Sequence, residues 1–230
     1  MAEGIDHRLT RRYLDRRVDG RMVALIEREL AGAGSVLDAG CGSGLYGPAL
    51  RRRAASVTGI DHDPALCRQA EATGAYDRVV CAPVARVAEH LDPAEVVFCS
   101  ELIEHVPRAE LRPTLDALEA AATAKVVITV PNRLFPHAHV DPTHVLRYRL
   151  GGLLAELNRS GRFAYTLHPL GFAEHWRQRM WCRPLDAVAR RVAVCSPTVL
   201  YLGRSRGSGA GFGQGPGSGP GSGSGSGVRR

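Results

Sequence analysis

A chain of 230 residues with 44% hydrophobic content carries enough apolar material for one domain with a sizeable core. No apolar run reaches the roughly eighteen residues of a membrane span, and a start bearing Asp6, Arg8, Arg11 and Arg12 is too charged for a secretory leader. Stable membrane insertion is therefore not expected, and the cytoplasm is. The net charge of +7 invites a nucleic-acid reading, but four of those charges, Arg204, Arg206, Arg229 and Arg230, sit at the end of the chain with no acid among them. Three remain for everything before, an ordinary domain charge.

In chain order, residues 5–33 are predicted to be helical, with Val18, Met22, Leu25, Ile26 and Leu30 recurring at three and four and Gly32 and Gly34 ending the run. The arginines at 8, 11, 12, 16, 17 and 21 are interleaved with Asp6, Asp15 and Asp19, which reads as a solvated helix face, with substrate steering as the alternative. Cys41, Cys67, Cys81, Cys99, Cys182 and Cys195 form no C-x-x-C pair, so reduced thiols and no structural zinc are expected. Next comes the string Val36-Leu37-Asp38-Ala39-Gly40-Cys41-Gly42-Ser43-Gly44, an apolar strand running into glycines at alternating positions. Glycine there lets the backbone take positive φ and lets a ligand reach main-chain N–H groups that a Cβ would shield.

This string resembles motif I of the class I S-adenosylmethionine-dependent methyltransferases, an acidic residue near a strand end followed by G-x-G-x-G. The resemblance implies that Asp38, Gly40, Cys41, Gly42 and Gly44 hold the amino-acid half of S-adenosyl-L-methionine. The run Gly42-x-Gly44-x-x-Gly47 also satisfies the dinucleotide fingerprint. Asp38 argues against that reading, because a carboxylate suits a cationic sulfonium ligand better than a pyrophosphate. In relatives of this class, a helix such as 5–33 lids the cofactor; plain packing on the sheet is the alternative.

A crossover helix over Leu45–Arg53 should lead to a second strand at Ser56–Ile60, ending on Asp61. A right-handed βαβ unit brings that strand end beside the glycine turn, so Asp61 is the candidate for the two ribose hydroxyls and Asp63, before Pro64, for the cap of the next helix. The third strand, Arg78–Cys81, runs into Ala82-Pro83-Val84, where relatives often carry an acid for the adenine. Main-chain or apolar contacts must serve here. The fourth strand, Glu95–Cys99, closes on Ser100-Glu101-Leu102-Ile103-Glu104-His105.

If a helix starts near Ser100, then Glu101, Glu104 and His105 project from one face next to the cofactor, with Glu101 within reach of it. Two carboxylates and an imidazole make a partial site for Mg²⁺, Mn²⁺ or Zn²⁺; the bland alternative is helix-terminal acids with His105 as a pocket wall. The pattern resembles the E-x-x-E-H of two metal-binding methyltransferase groups, those modifying the 3′ end of small RNAs and those O-methylating quinone precursors. A helix over Thr114–Ala122 and a fifth strand over Lys125–Val130 follow. The long loop from Arg133 to His144 contains Val140-Asp141-Pro142-Thr143-His144, similar to the D-x-T-H element of many bacterial relatives. In the RNA-modifying group a histidine in this region completes the metal site, which makes His144 the candidate fourth ligand, and His105 and His144 the candidate general bases. His137 and His139 are expected to be surface residues without a role.

A helix at Arg149–Asn158, a strand at Arg162–Leu167, a helix over Pro184–Val192 and a strand at Thr198–Gly203 complete the pattern. The expected fold is a Rossmann-like α/β seven-stranded sheet, mostly parallel with an antiparallel last strand and helices on both faces. Residues 1–34 should be a helical segment, 35–204 the cofactor-binding domain and 205–230 a flexible Gly/Ser/Pro-rich tail. The stretch from His175 to Trp181 reads as core packing or as an acceptor- or membrane-facing surface. The function implied is methyl transfer to a hydroxyl of a small-molecule metabolite. Metal-dependent 2′-O-methylation of RNA 3′ ends, a cofactor-binding pseudoenzyme and a nicotinamide-binding domain are the alternatives; oligomeric state is not read from the sequence.

Overall fold

The strands of this chain are near-continuous apolar runs, and that composition requires a sheet covered on both faces. In the computed structural model, which describes residues 19–172 and 182–207, seven strands form one sheet in the order β3-β2-β1-β4-β5-β7-β6. They are β1 (Ala33–Ala39), β2 (Ala54–Asp61), β3 (Arg78–Cys81), β4 (Ala94–Ser100), β5 (Ala122–Pro131), β6 (Phe163–Pro169) and β7 (Thr198–Ser205). Strands β1 to β5 pair in parallel, while β7 is antiparallel to both its neighbours, as expected from the sequence.

Because successive residues of a strand point to opposite faces, each strand feeds two cores. Leu37, Val97, Cys99, Ile128 and Tyr201 face one side, where they meet α4 (Leu111–Ala120) and α6 (Leu150–Leu157) through Leu115, Leu118, Leu153 and Leu157. Val36, Val96, Phe98, Val127 and Leu200 face the other, against α1 (Gly20–Glu29) and α2 (Gly47–Arg51). Each such side chain contributes about 1.5–3 kcal/mol on burial. In α1, Met22, Leu25 and Ile26 are buried on the sheet, and Asp19 caps the helix by accepting from the Arg21 N–H at 2.9 Å. The described part of this helix therefore packs on the sheet; positions 5–18 of the expected helix lie outside the described residues, as do residues 173–181 and 208–230.

Several boundaries shift. β1 begins at Ala33 because Gly32, at φ 76°, turns the chain directly into the pairing of Ala33 with Ala54, so β2 also starts earlier than read, at Ala54. β7 runs on to Ser205, paired with Phe163. Asp63 caps α3 (Pro64–Ala72), its Oδ1 accepting from Ala65 and Leu66 N–H at 2.7 and 3.3 Å. The loop after β5 contains a short helical turn, α5 (His137–Val140), and α7 (Cys182–Ala189) precedes β7. No helix among the described residues is long and apolar enough to cross a membrane.

Candidate functional site

The site gathers at the carboxyl ends of the parallel strands, where the sheet order reverses around β1 and leaves a crevice. Asp38, the next-to-last residue of β1, is 4% exposed, and Asp61, the last of β2, is 7% exposed. Between them the glycine loop is stitched to β2, for Gly40 and Cys41 N–H both donate to the Ile60 carbonyl at 2.8 and 3.1 Å. Asp61 Oδ2 accepts the Gly42 N–H at 2.9 Å and its Oδ1 the Asp63 N–H at 3.0 Å. Gly40, Gly42 and Gly44 all have positive φ, and at Gly42 nothing lies within 4 Å of where a Cβ would stand, a backbone surface open to a ligand.

Tyr76, just before β3, is a member of this site that the sequence reading missed. Its hydroxyl donates to Asp38 Oδ2 at 2.7 Å, and its ring lies beneath the glycine loop, so a Cβ at Gly47 would stand 2.6 Å from it. That close approach explains the third glycine of Gly42-x-Gly44-x-x-Gly47 without a dinucleotide. Burial raises the Asp38 pKa to about 7, the Tyr76 hydrogen bond works against that rise, and the nearby Asp61 charge adds to it. Burial, with the Asp38 and Asp61 charges beside it, also pushes the Cys41 thiol up, so Cys41 is a neutral wall.

The segment after β4 corrects the expected helix. The ladder with β5 continues past Ser100, since the Glu101 N–H donates to the Thr129 carbonyl at 3.0 Å and Ser100 Oγ lies 3.0 Å from Thr129 Oγ1. The chain stays extended through Ser100 and must reverse abruptly at Glu101, which has φ 53°, the one non-glycine positive φ among the described residues. Only a single 3₁₀ turn, Ile103–His105, follows. Glu101 thus does not share a helix face with Glu104 and His105. Leu102 packs over Gly40 instead, joining this segment to the glycine loop.

Glu104, His105 and His144 do come together: each offers a ligand atom, and these lie within 4.8 Å of one another, a group that excludes Glu101. Glu104 is 2% and His144 8% exposed. His144 Nε2 stands 4.0 Å from Glu104 Oε1 and 3.9 Å from Asp141 Oδ2, and the two imidazoles pack edge to face with centroids 4.8 Å apart. Leu146 N–H donates to the Glu104 carbonyl at 3.0 Å, fastening the loop to the turn. Asn132, fully buried, anchors the start of that loop by donating from Nδ2 to the carbonyls of Val194 and Ser196 at 3.2 and 2.9 Å. His139 is exposed, with its ring against the Arg133 carbonyl at 2.5 Å; the side chain of His137 and the whole stretch from His175 to Trp181 lie outside the described residues.

A depression of about 570 Å³ at the opposite, amino end of the parallel strands is lined by Glu29, Lys125 and Arg204. Glu29 there pairs with Arg28, Lys125 and Arg204, a self-satisfied charge cluster that also ties Lys125 to the carboxyl end of α1. Asp38, Asp61 and the glycine loop are at the other end.

This sheet order, with its antiparallel β7 and two acids flanking a glycine loop, is the class I methyltransferase architecture. A S-adenosylmethionine-dependent methyltransferase from Archaeoglobus fulgidus superposes with a TM-score of 0.66 at 18% identity, over 87% of this chain and 100% of that one. The methyltransferase domain of bacterial CtHen1-C superposes with a TM-score of 0.61 at 15% identity, over 81% and 95%. Residues 36–123 match the family described as methyltransferase domain. Among curated proteins it is similar to the ubiquinone biosynthesis O-methyltransferases of Xylella fastidiosa, 41% identical over 83 residues, and Psychrobacter arcticus, 43% identical over 88. The matched stretches cover 34% and 35% of this chain and only 33% and 34% of those relatives.

Proposed function

We propose that this protein transfers the methyl group of S-adenosyl-L-methionine to a hydroxyl of a small molecule. The observation that carries the reading is the glycine loop bracketed by two buried carboxylates, Asp38 and Asp61, at adjacent strand ends. The cradle fits the cofactor on chemical grounds: open backbone at Gly42, a carboxylate for an ammonium, and a second carboxylate for ribose hydroxyls. When bound, the cofactor supplies a methyl on a sulfonium that is already a good leaving group, so the chain has chiefly to align the acceptor, at about 3 Å and in line. In this reading Asp38, Gly40, Cys41, Gly42 and Gly44 hold the amino-acid half and Asp61 the ribose, and Glu101, at the positive-φ turn after β4, is a further contact to the cofactor.

An acceptor hydroxyl must lose its proton, and His105 or His144 takes it. His144 is suited to this, because its Nδ1 lies 3.1 Å from the Ala138 carbonyl, which only accepts, leaving the lone pair on Nε2. The donor set of Glu104, His105 and His144, one carboxylate and two imidazoles, also fits a divalent ion, and Mn²⁺ or Zn²⁺ suits it better than Mg²⁺, which prefers oxygen. Such an ion would supply Lewis acidity and orient a diol. The small-molecule hydroxyl agrees with the ubiquinone biosynthesis O-methyltransferase relatives, whose likeness covers a third of their length.

Calorimetric titration with S-adenosylhomocysteine tests the cofactor reading: micromolar binding is expected, and its absence at every pH and ionic condition would sink it. Methyl transfer from labelled cofactor to catechol, with and without Mn²⁺ or Zn²⁺, then tests the acceptor class. An RNA 3′ end, which carries a ribose diol, is the comparison substrate; labelling of RNA with none of catechol would overturn the small-molecule assignment.

A further inference from the structure

The loop segment Asp141–His144 does more than deliver His144. Asp141 Oδ1 accepts two hydrogen bonds from Thr143, from its N–H at 2.9 Å and its hydroxyl at 2.5 Å. The same hydroxyl oxygen stands 3.0 Å from His105 Nδ1, and the Thr143 carbonyl is 3.2 Å from that nitrogen. A threonine hydroxyl has one proton to donate. With that proton committed to the carboxylate, Thr143 Oγ1 can only accept from His105, and its carbonyl can only accept as well. Nδ1 of His105 must therefore carry hydrogen, and Nε2 is the nitrogen with the lone pair. The second oxygen of Asp141 is the one 3.9 Å from His144 Nε2, so a single carboxylate touches the arrangement of both rings.

We propose that Asp141 and Thr143 are a positioning relay that fixes His105 in its Nδ1–H tautomer and so presets the Glu104–His105–His144 cluster for a divalent ion. The proposal rests on the metal reading of the site for its ligand, but the tautomer it demands is a property of the metal-free protein. Ligating histidines are ordinarily oriented by an acceptor on their other nitrogen, and loss of such a partner typically costs 10- to 100-fold in metal affinity. Here the acceptor is a hydroxyl whose polarity is set one residue further back. Asp141→Ala releases the Thr143 proton to donate towards Nδ1, which leaves the Thr143 carbonyl as the one acceptor holding the Nδ1–H tautomer and so weakens that preference; Thr143→Val removes the hydroxyl, and Thr143→Ser keeps it.

The test joins two readouts on the full chain. Long-range ¹⁵N–¹H spectra of histidine-labelled, metal-free protein should show His105 as Nδ1–H in the wild type and in Thr143→Ser, with the Nε2–H form gaining population in Asp141→Ala. Titration with Mn²⁺, Zn²⁺ or Co²⁺, followed by calorimetry and by the visible absorption of the Co²⁺ form, should give a 10- to 100-fold loss of affinity in Asp141→Ala and Thr143→Val and recovery in Thr143→Ser. Retained S-adenosylhomocysteine binding reports that each variant is folded. An Nε2–H His105 in the wild type, or an unchanged tautomer in a folded Asp141→Ala, overturns the relay. Unchanged ion affinity in both damaging variants overturns it too. A wild type that binds none of the three ions removes the metal reading, and the spectra then decide the relay by themselves.

Discussion

The glycine loop and the histidine cluster are built on opposite plans. The loop is assembled almost wholly from main chain, with Gly40, Cys41 and Gly42 N–H groups spent on Ile60 and Asp61 of the neighbouring parallel strand. Its shape follows from a short string and a strand pairing. The cluster is assembled from side chains on two connections, the 3₁₀ turn Ile103–His105 and the loop after β5, and their meeting depends on hydrogen bonds such as His105 to Thr143 and Leu146 to Glu104. A main-chain cradle tolerates changes in side chains that do not touch it, whereas a cluster on connections is only as exact as the contacts that orient it.

Four measurements would break or sharpen that contrast, and the largest effect is expected at Asp61. Replacing Asp61 by Ala removes the anchor of Gly42 and Asp63 along with the ribose acceptor. At about 1.5–3 kcal/mol for the hydrogen bond from each of two ribose hydroxyls, S-adenosylhomocysteine affinity should fall by roughly 10²- to 10⁴-fold in calorimetry. Binding within threefold of wild type would show that the loop does not need its carboxylate.

Gly44→Ala comes next. The residue has φ 79°, and a Cβ would lie 2.9 Å from Ala70 Cα, a backbone atom that cannot step aside. A cost of about 2–3 kcal/mol is expected, read as a fall of roughly 5–10 °C in Tm. The matching change at Gly42, open around its missing Cβ but also at positive φ, should cost only about half as much stability. Equal melting temperatures for the two variants would contradict this account of the turn.

The third effect is one of pH. Burial pushes the Asp38 carboxyl up to about 7, well above the usual carboxylate range. An ammonium-bearing ligand needs the ionised form, so its affinity should rise about tenfold per unit as pH increases towards 7 and level off above, with a proton released on binding below it. For the free protein the sign is the reverse: a carboxyl raised by folding adds stability below its unfolded value, and that contribution is lost as pH rises through about 7. Tyr76→Phe removes the hydrogen bond that holds Asp38 down, so the binding curve should move to higher pH. A curve that stays put in Tyr76→Phe is the unfavourable result.

The smallest change is at the end of β4. Glu101→Gly relieves the positive φ at the end of β4 and should leave stability within about 1 kcal/mol of wild type, on the favourable side. If Glu101 serves the crevice, methyl transfer nevertheless falls; unchanged turnover would reduce Glu101 to a strained connection.

Most of the architecture was legible in the residues. Apolar runs at Val36–Leu37, Val96–Phe98 and Val126–Ile128, with turn signals between them, specify buried strands whose order and crossovers follow from general rules of handedness. Asp63 before Pro64 specified a helix start. The glycine string and Asp61 specified a cradle, since each depends on near neighbours and one βαβ unit. The segment after Ser100 reads as a helix start because serine is a favoured N-cap and Glu101 an acid suited to a first turn, and the β5 ladder at Thr129 overrides it.

What sequence could not decide lies between residues far apart. Tyr76 reaches Asp38 and Thr143 reaches His105 across separations of 38 residues in each case, and nothing in either stretch marks a lone tyrosine or threonine as a partner. In Asp141-Pro142-Thr143-His144, similar as a whole to the D-x-T-H element, the sequence points to a role for His144 alone. Local strings determined where the backbone can turn and bury its strands, because backbone conformation answers to neighbours within a turn or a strand. Which side chains meet at the crevice, which proton each holds and how high the Asp38 pKa stands were settled only when the folded sheet removed water and set distant groups within hydrogen-bonding distance.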